Sequence, residues 1–355
     1  MVHNFSAGPC ILPQEVLQKA SESVKDFNGI GLSLIEISHR SKPFIEVMDN
    51  ARGLVKELLN VPDTHEVLFL QGGASLGFYT AAFNFLKENG KGAYHDSGTW
   101  SSKAIKEAKL LGNVDVVASG KENGYTELML DYSIPSDADF FHFTSNNTIY
   151  GAQWQTLPTS KCPLICDMSS DIFSREINVS DFALIYAGAQ KNMGPAGTVL
   201  YIVEKELLGK TGRNIPSYLD LSVHIDKDSM FNTPPVFAIY TSMLMLEWLK
   251  DLGGVKAIEK INNQKAELLY NEIDENPLFK GYAHVNSRSK MNVTFTLTDA
   301  SFQAKFDEMW SKANINGIKG HRSVGGYRAS IYNALPLSSV QALVNVMKEL
   351  ATVTA

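Results

Sequence analysis

A lysine near the middle of the chain follows a run of large apolar residues and precedes a glycine-rich turn. Residues 181–186 are typical of a buried strand in an α/β sheet, and residues 198–203 of a second strand. Between them, small residues around Lys191 let a bulky group approach the backbone. A desolvated lysine loses its proton more readily than a free one, whose pKa is about 10.4, and a neutral amine can attack an aldehyde to form a Schiff base. A solvated loop lysine stays open as the alternative.

A second charged residue ends an apolar run further upstream. Residues 162–166 lead into Asp167, and an acid at the carboxyl end of a strand lies where open α/β sheets bind ligands. A carboxylate can keep a pyridine nitrogen protonated while a lysine holds an aldehyde, so Asp167 and Lys191 together indicate pyridoxal phosphate. A turn or capping role for Asp167, beside Ser169 and Ser170, is the alternative.

Two further stretches are typical of anion sites. Residues 71–77 carry glycines from a strand into a helix, where free N–H groups and the helix dipole favour phosphate. Their spacing does not match the dinucleotide fingerprint. Residues 319–328 form a basic loop whose glycines let several groups converge on one anion, and arginine suits carboxylate or phosphate. For residues 71–77 the alternative is an ordinary tight turn, and for residues 319–328 it is a solvated loop.

The order of elements predicts two domains. Strand and helix patterns alternate to about residue 200, which indicates a mostly parallel sheet with helices on both faces. From about residue 277 the pattern changes to an α+β arrangement, with strands at 292–297 and 327–332 and helices at 301–314 and 338–350. We expect an α/β fold with a large domain over residues 14–250 and a small domain formed by residues 1–13 and 251–355.

Composition excludes several classes of partner. The net charge of −6 gives no general affinity for nucleic acid or an anionic membrane. No apolar run approaches the roughly 20 residues of a membrane span, and the N-terminus lacks a signal pattern. Cys10, Cys162 and Cys166 cannot all pair, and their spacing does not suit zinc. We therefore expect reduced thiols, no metal site, and a cytoplasmic protein without nucleic-acid or membrane partners.

Five segments resemble the phosphoserine aminotransferase family, a group of class-V, fold-type-I enzymes. They lie at residues 3–9, 38–40, 186–197 and 231–235, and at 320–322 together with 331–334. The segments occur in the family's order from residue 3 to the C-terminus. The resemblance implies a large domain that binds pyridoxal phosphate, followed by a small α+β domain.

The resemblance also implies a role for individual residues. Lys191 would hold the cofactor and move the substrate proton, and Asp167 would partner the pyridine nitrogen. The other implied cofactor contacts within the chain are Ala74 and Ser75 at the phosphate, Trp100 against the ring, Thr148 at the ring's oxygen substituent, and Gln190. The resemblance also implies a homodimer with shared sites, in which Asn232 and Thr233 would reach the cofactor phosphate of the neighbouring subunit. The implied substrate contacts are His39 and Arg40 as anion-binding residues, His321 and Arg322 at the substrate phosphate, and Arg328 at the α-carboxylate.

The implied activity is transamination between L-glutamate and 3-phosphohydroxypyruvate, which gives O-phospho-L-serine and 2-oxoglutarate in serine biosynthesis. A role in pyridoxine biosynthesis, with 4-phosphohydroxythreonine as substrate, stays open. One alternative is another fold-type-I enzyme such as a cysteine desulfurase, which needs a reactive cysteine in a mobile C-terminal loop; Cys166 is the chain's last cysteine. Another is a non-catalytic protein that binds phosphorylated metabolites, and the presence of both Lys191 and Asp167 argues against it.

Overall fold

The computed structural model describes residues 2–354, and the strands in this part of the chain form three sheets. The largest has seven strands in the order β2-β8-β7-β6-β5-β3-β4. The strands are β1 (His3–Asn4), β2 (His65–Gly72), β3 (Lys91–Asp96), β4 (Asn113–Ser119), β5 (Phe140–Thr144), β6 (Leu164–Asp167), β7 (Leu184–Gly188), β8 (Gly197–Glu204), β9 (Phe279–Gly281), β10 (Asn292–Leu297), β11 (Ile315–Asn316) and β12 (Tyr327–Ser330).

The large sheet is mostly parallel, and the predicted fold class is confirmed. Neighbouring strands from β4 to β7 run parallel, whereas β8 runs antiparallel to both of its neighbours, β7 and β2. Every residue of β5, β6 and β7 is buried, as expected of inner strands covered on both faces. In the register of the sheet Thr144 pairs with Asp167 and Asp167 with Tyr186. The carboxyl ends of these three strands therefore meet at one edge.

Helices cover both faces of the large sheet. The helices in the described part of the chain are α1 (Gln14–Lys25), α2 (Lys42–Leu59), α3 (Ala74–Phe85), α4 (Thr99–Ala108), α5 (Leu221–Ile225), α6 (Val236–Asp251), α7 (Gly254–Glu275), α8 (Gln303–Lys312) and α9 (Leu337–Thr354). Side chains alternate along β8, so Leu200 and Ile202 join the core under α1, α2 and α6, while Tyr201 joins the core under α3 and α4. Helix α3 can pack close to β7 because Gly77 has no side chain. A Cβ at this position would lie only 2.6 Å from the Tyr186 ring.

A smaller antiparallel sheet, in the order β12-β10-β9, packs with α7, α8 and α9 around a separate apolar cluster. The N-terminal segment lies here too, because β1 pairs in parallel with β11 and Phe5 is part of the same cluster. The predicted helix at 301–314 is shorter than expected: Asp299 caps a 3-10 turn at Ala300–Phe302 before α8 begins. Where the chain divides into domains stays a prediction.

Within residues 2–354, no helix combines the length and the apolar character needed to cross a bilayer. The same part of the chain contains no group of three or more His, Cys, Asp or Glu side chains placed to hold a metal ion.

Candidate active site

A cavity of about 290 Å³ opens at the carboxyl ends of β5, β6 and β7. This volume is near the lower end of the range of roughly 300–1,000 Å³ typical of small-molecule sites. The cavity is lined by Ala7, Gly8, Gly73, Ala74, Ser75, Phe78, Trp100, Thr144, Asn146, Thr148, Ile149, Asp167, Ser169, Ser170, Gln190, Lys191, His321 and Arg328. A larger groove of about 1,160 Å³ lies beside the amino ends of β5 and β6, and it contains none of the predicted site residues.

Lys191 lies at the centre of the cavity, on the turn between β7 and β8. Its side chain is buried, and Nζ donates a hydrogen bond of 2.7 Å to Thr148 Oγ1. Burial lowers the pKa of Lys191 to about 8; the negative charge of Asp167 opposes this shift, and the positive charge of Arg328 adds to it. A sizeable fraction of the amine is therefore neutral at slightly alkaline pH, as a nucleophile or base requires.

Backbone features give Lys191 its position. The N–H of Gly194 bonds to the carbonyl of Ala189 at 2.7 Å, which closes the turn that carries the lysine. A Cβ at Gly8 would lie 3.4 Å from Lys191 Cγ, and the positive φ of +143° at Gly8 also favours glycine. The N-terminal segment can therefore pass close to the lysine side chain.

Asp167 ends β6 and is held by one neighbour. The N–H and the hydroxyl of Ser169 donate hydrogen bonds of 2.9 and 2.6 Å to Asp167 Oδ1. The N–H of Gly188 donates in turn to Ser169 Oγ at 3.1 Å, which ties the carboxylate to β7. Burial raises the pKa of Asp167, while the bonds from Ser169 and the charge of Lys191 act in the opposite direction. Among residues 2–354, no group donates a hydrogen bond to Oδ2, so this oxygen is available to a ligand.

The start of α3 supplies an anion-binding wall. Gly73 is its N-cap, and Ala74 and Ser75 form the first turn, where backbone N–H groups have no partner within the helix. A side chain at Gly73 would meet no atom within 4 Å, so the approach to these groups is open. Such a helix start suits a phosphate group.

A cationic wall faces the other side of Lys191. Arg328, on β12, donates a hydrogen bond of 3.3 Å from Nη1 to the carbonyl of Thr148, and its buried Nε has no partner among the described residues. His321 also lines the cavity. The Nζ of Lys191 lies 5.9 Å from the centre of the Trp100 ring, and Trp100 also lines the cavity.

Five of the predicted site residues do not line this cavity. Arg40 and Arg322 are exposed, and His39 is half-buried with its Nε2 lacking a hydrogen-bond partner within residues 2–354. Asn232 and Thr233 are exposed and lie beside Gln71 at the end of β2, where the Asn232 side chain bonds to Gln71 at 3.0 Å. Their roles stay predictions.

The cavity also contains residues to which the sequence analysis gave no ligand contact. Thr144 is buried, and its hydroxyl has no partner in the described part of the chain. Ser169 was considered only as a turn residue beside Asp167, yet it holds the carboxylate. Thr144 could have been found, because it is a polar residue at the end of an otherwise apolar strand, as Asp167 is.

A family model for class-V aminotransferases matches residues 2–343. The chain belongs to this family. Similar curated proteins are the phosphoserine aminotransferases of Flavobacterium psychrophilum and Flavobacterium johnsoniae, which are 62% and 61% identical to it over 349 residues. Each alignment covers 98% of both chains. The resemblance that the sequence motifs indicated is therefore confirmed.

Solved structures agree with this assignment. A phosphoserine aminotransferase structure that describes radiation damage of the Schiff base has a TM-score of 0.96 at 45% identity, covering 99% of each chain. The enzyme from Bacillus circulans subsp. alkalophilus has a TM-score of 0.96 at 41% identity, covering 100% of this chain and 99% of its own. The enzyme from Trichomonas vaginalis with bound pyridoxal phosphate has a TM-score of 0.92 at 36% identity, and the match covers 98% of this chain and 100% of the Trichomonas chain.

Proposed function

We propose that this protein is a pyridoxal-phosphate-dependent phosphoserine aminotransferase. It transfers the amino group of L-glutamate to 3-phosphohydroxypyruvate, reversibly, to give O-phospho-L-serine and 2-oxoglutarate. The observation that carries the proposal is the arrangement of Lys191 and Asp167: a buried amine with a lowered pKa and a carboxylate with an unpartnered oxygen line one cavity. The full-length similarity to proteins named for this activity supports it.

The residues present fit pyridoxal phosphate. The start of α3, at Ala74 and Ser75, would take its phosphate, and Oδ2 of Asp167 would accept a hydrogen bond from the protonated ring nitrogen. Trp100 would lie against the ring, and Thr148 and Gln190 complete the contacts within the chain. When bound, the cofactor supplies an aldehyde for amines and a ring that withdraws electrons from the substrate Cα.

Lys191 is the group that handles the substrate proton. With its pKa lowered to about 8, Nζ can accept a proton from Cα and return it, and the hydroxyl of Thr148 orients the amine. A positioned base of this kind typically contributes about 10²–10⁴-fold to the rate. The negative charge of Asp167 would keep the ring nitrogen protonated, and Ser169 fixes the other oxygen of this carboxylate.

Cationic groups would bind the substrates. Arg328 would take the α-carboxylate that both amino acids share, since a guanidinium matches a carboxylate. His39, Arg40, His321 and Arg322 would form one anion pocket for the phosphate of phosphoserine and for the side-chain carboxylate of glutamate. The two amino acids use the same site in turn, so one pocket has to accept both groups.

The proposal includes a cytoplasmic homodimer with shared sites. Asn232 and Thr233 are exposed, and beside them 41% of the Phe231 side chain is exposed as well. Further large apolar side chains are exposed within one stretch of α1 and the loop after it, at Leu17, Val24, Ile30, Leu32 and Ile35. Exposed apolar surface of this kind favours a protein interface. Across it, Asn232 and Thr233 would reach the cofactor phosphate of the neighbouring subunit.

The test is a spectrum and an assay on the purified protein. We expect visible absorbance from bound pyridoxal phosphate that bleaches when L-glutamate is added, and O-phospho-L-serine as product when 3-phosphohydroxypyruvate is supplied. No uptake of added pyridoxal phosphate would instead support a binding protein without catalysis. Release of sulfide from cysteine, with no transamination, would support a desulfurase.

A further inference from the structure

A further cation lies beside the cationic wall of the site. Lys103 is exposed on α4, three residues after Trp100, and its Nζ lies 4.5 Å from the centre of the Trp100 ring. The Nζ of Lys191 lies 5.9 Å from the centre of the same ring. Lys103 therefore lies against an aromatic side chain that lines the cavity.

The charge of Lys103 also acts on the residues of that wall. Burial lowers the pKa of His321, and the positive charges of Arg328, Arg322 and Lys103 lower it further. The effect of an exposed charge fades over roughly 8 Å at physiological salt. Lys103 and His321 therefore lie near enough to each other for the charge of Lys103 to act on the imidazole.

The positive side chains Lys103, Arg322 and Arg328 form no ion pair among the described residues, and the lowered pKa of His321 favours its neutral form. None of the ion pairs among residues 2–354 includes Lys103, His321, Arg322 or Arg328. The protein as a whole carries a net charge of −6, so a cluster of unpaired cations is not a general property of its surface. Like charges held together without anions favour a ligand that brings negative charge.

We infer that Lys103 is a substrate-binding residue that favours phosphorylated substrates over glutamate. The inference rests on the proposed function, because it assigns a contact to the substrate of that site. A phosphate monoester carries a charge of about −1.5 to −2 at pH 7, whereas the side-chain carboxylate of glutamate carries one negative charge. Lys103 therefore stabilises bound phosphoserine more than bound glutamate. Its ammonium lies against Trp100, which lines the cavity.

The test compares three variants by kcat/KM for both amino donors. Lys103→Met removes the charge and keeps an apolar side chain against Trp100, and Lys103→Arg keeps the charge. Lys106→Met is the matched control, because Lys106 is an exposed lysine on the same helix without a ring contact among the described residues. For Lys103→Met we expect a loss of about 10-fold with O-phospho-L-serine and about 2-fold with L-glutamate, as for a lost charge-assisted bond. Lys103→Arg and Lys106→Met should remain near the parent values.

Salt gives a second readout. Added potassium chloride should lower kcat/KM for phosphoserine less steeply in Lys103→Met than in the parent, because one screened attraction is missing. Visible absorbance of bound cofactor should be equal in all proteins. Equal losses with both donors would mean that Lys103 acts through Trp100 and would overturn the inference, and so would an unchanged Lys103→Met. A parent protein that does not turn over phosphoserine would overturn the proposed function itself.

Discussion

Thr148 joins Lys191 to Arg328. Its hydroxyl accepts a hydrogen bond of 2.7 Å from Lys191 Nζ, and its carbonyl accepts one of 3.3 Å from Arg328 Nη1. An amino acid whose α-carboxylate binds Arg328 has its Cα one bond away from that carboxylate. With the α-carboxylate at Arg328, as proposed, Thr148 would link the carboxylate site to the amine that accepts the Cα proton.

Lys191→Ala should abolish transamination and leave the fold intact. Lys191 is the amine that lines the cavity among the described residues, and its removal leaves no base at Cα. Steady-state turnover of the purified variant is the measurement, with circular dichroism as the control for folding. Turnover near the parent level would refute the assignment of Lys191.

Asp167→Asn should still bind pyridoxal phosphate but react slowly with glutamate. An amide has nearly the shape of the carboxylate, yet it does not hold a proton on the ring nitrogen. The measurement is the single-turnover rate of bleaching by L-glutamate, in samples matched for cofactor absorbance. If that rate equals the parent rate, Asp167 is not the partner of the ring.

Arg328→Ala should weaken both amino donors to a similar degree, because each presents an α-carboxylate. A bond to a charged group is worth about 1.5–3 kcal/mol, which corresponds to a loss of roughly 10–100-fold in kcat/KM. Arg322→Ala and His39→Ala should instead affect phosphoserine more than glutamate. A selective loss of phosphoserine in Arg328→Ala would mean that the two anion sites are assigned the wrong way round.

The lowered pKa of Lys191 predicts how uptake of the cofactor depends on pH. Only the neutral amine attacks an aldehyde, so the rate at which apoprotein takes up pyridoxal phosphate should rise with pH and level off above about 8. The measurement is the growth of visible absorbance in buffers of rising pH. Lys191→Ala gives the background from surface lysines. A rate that falls as pH rises through this range would contradict the lowered pKa.

Lys191 and Asp167 could be predicted as site residues because each follows an apolar run that is typical of a buried strand. Lys191 and Asp167 accordingly line one cavity. The antiparallel direction of β8 could not be predicted, because an apolar run indicates a buried strand but not the direction of that strand relative to its neighbours. Thr144 could have been found as a polar residue at the end of an apolar strand, whereas the hydroxyl bond by which Ser169 holds Asp167 is not visible in the local sequence.

The proposed shared sites can be tested by mixing two inactive variants. Thr233→Asp would put a carboxylate against the cofactor phosphate of the neighbouring subunit. Its backbone contact need not change, because Gln71 bonds to the carbonyl of Thr233. Lys191→Ala removes the amine from the site of its own chain. In a mixed dimer with one variant in each chain, one site collects both defects and the other contains neither.

Two inactive homodimers should therefore give active heterodimers when they are co-expressed. Random pairing puts about half of the dimers in the mixed form, each with one intact site of two, so we expect about a quarter of the parent activity from a two-fold symmetric dimer. If each site were built within one chain, every site would carry one defect and mixing would restore nothing. Thr233→Asp by itself has to be inactive, and mass spectrometry has to confirm the heterodimer. If both conditions are met and the mixture is still inactive, the shared-site arrangement is excluded. With shared sites, every mixed dimer would contain one site without a defect and would therefore be active.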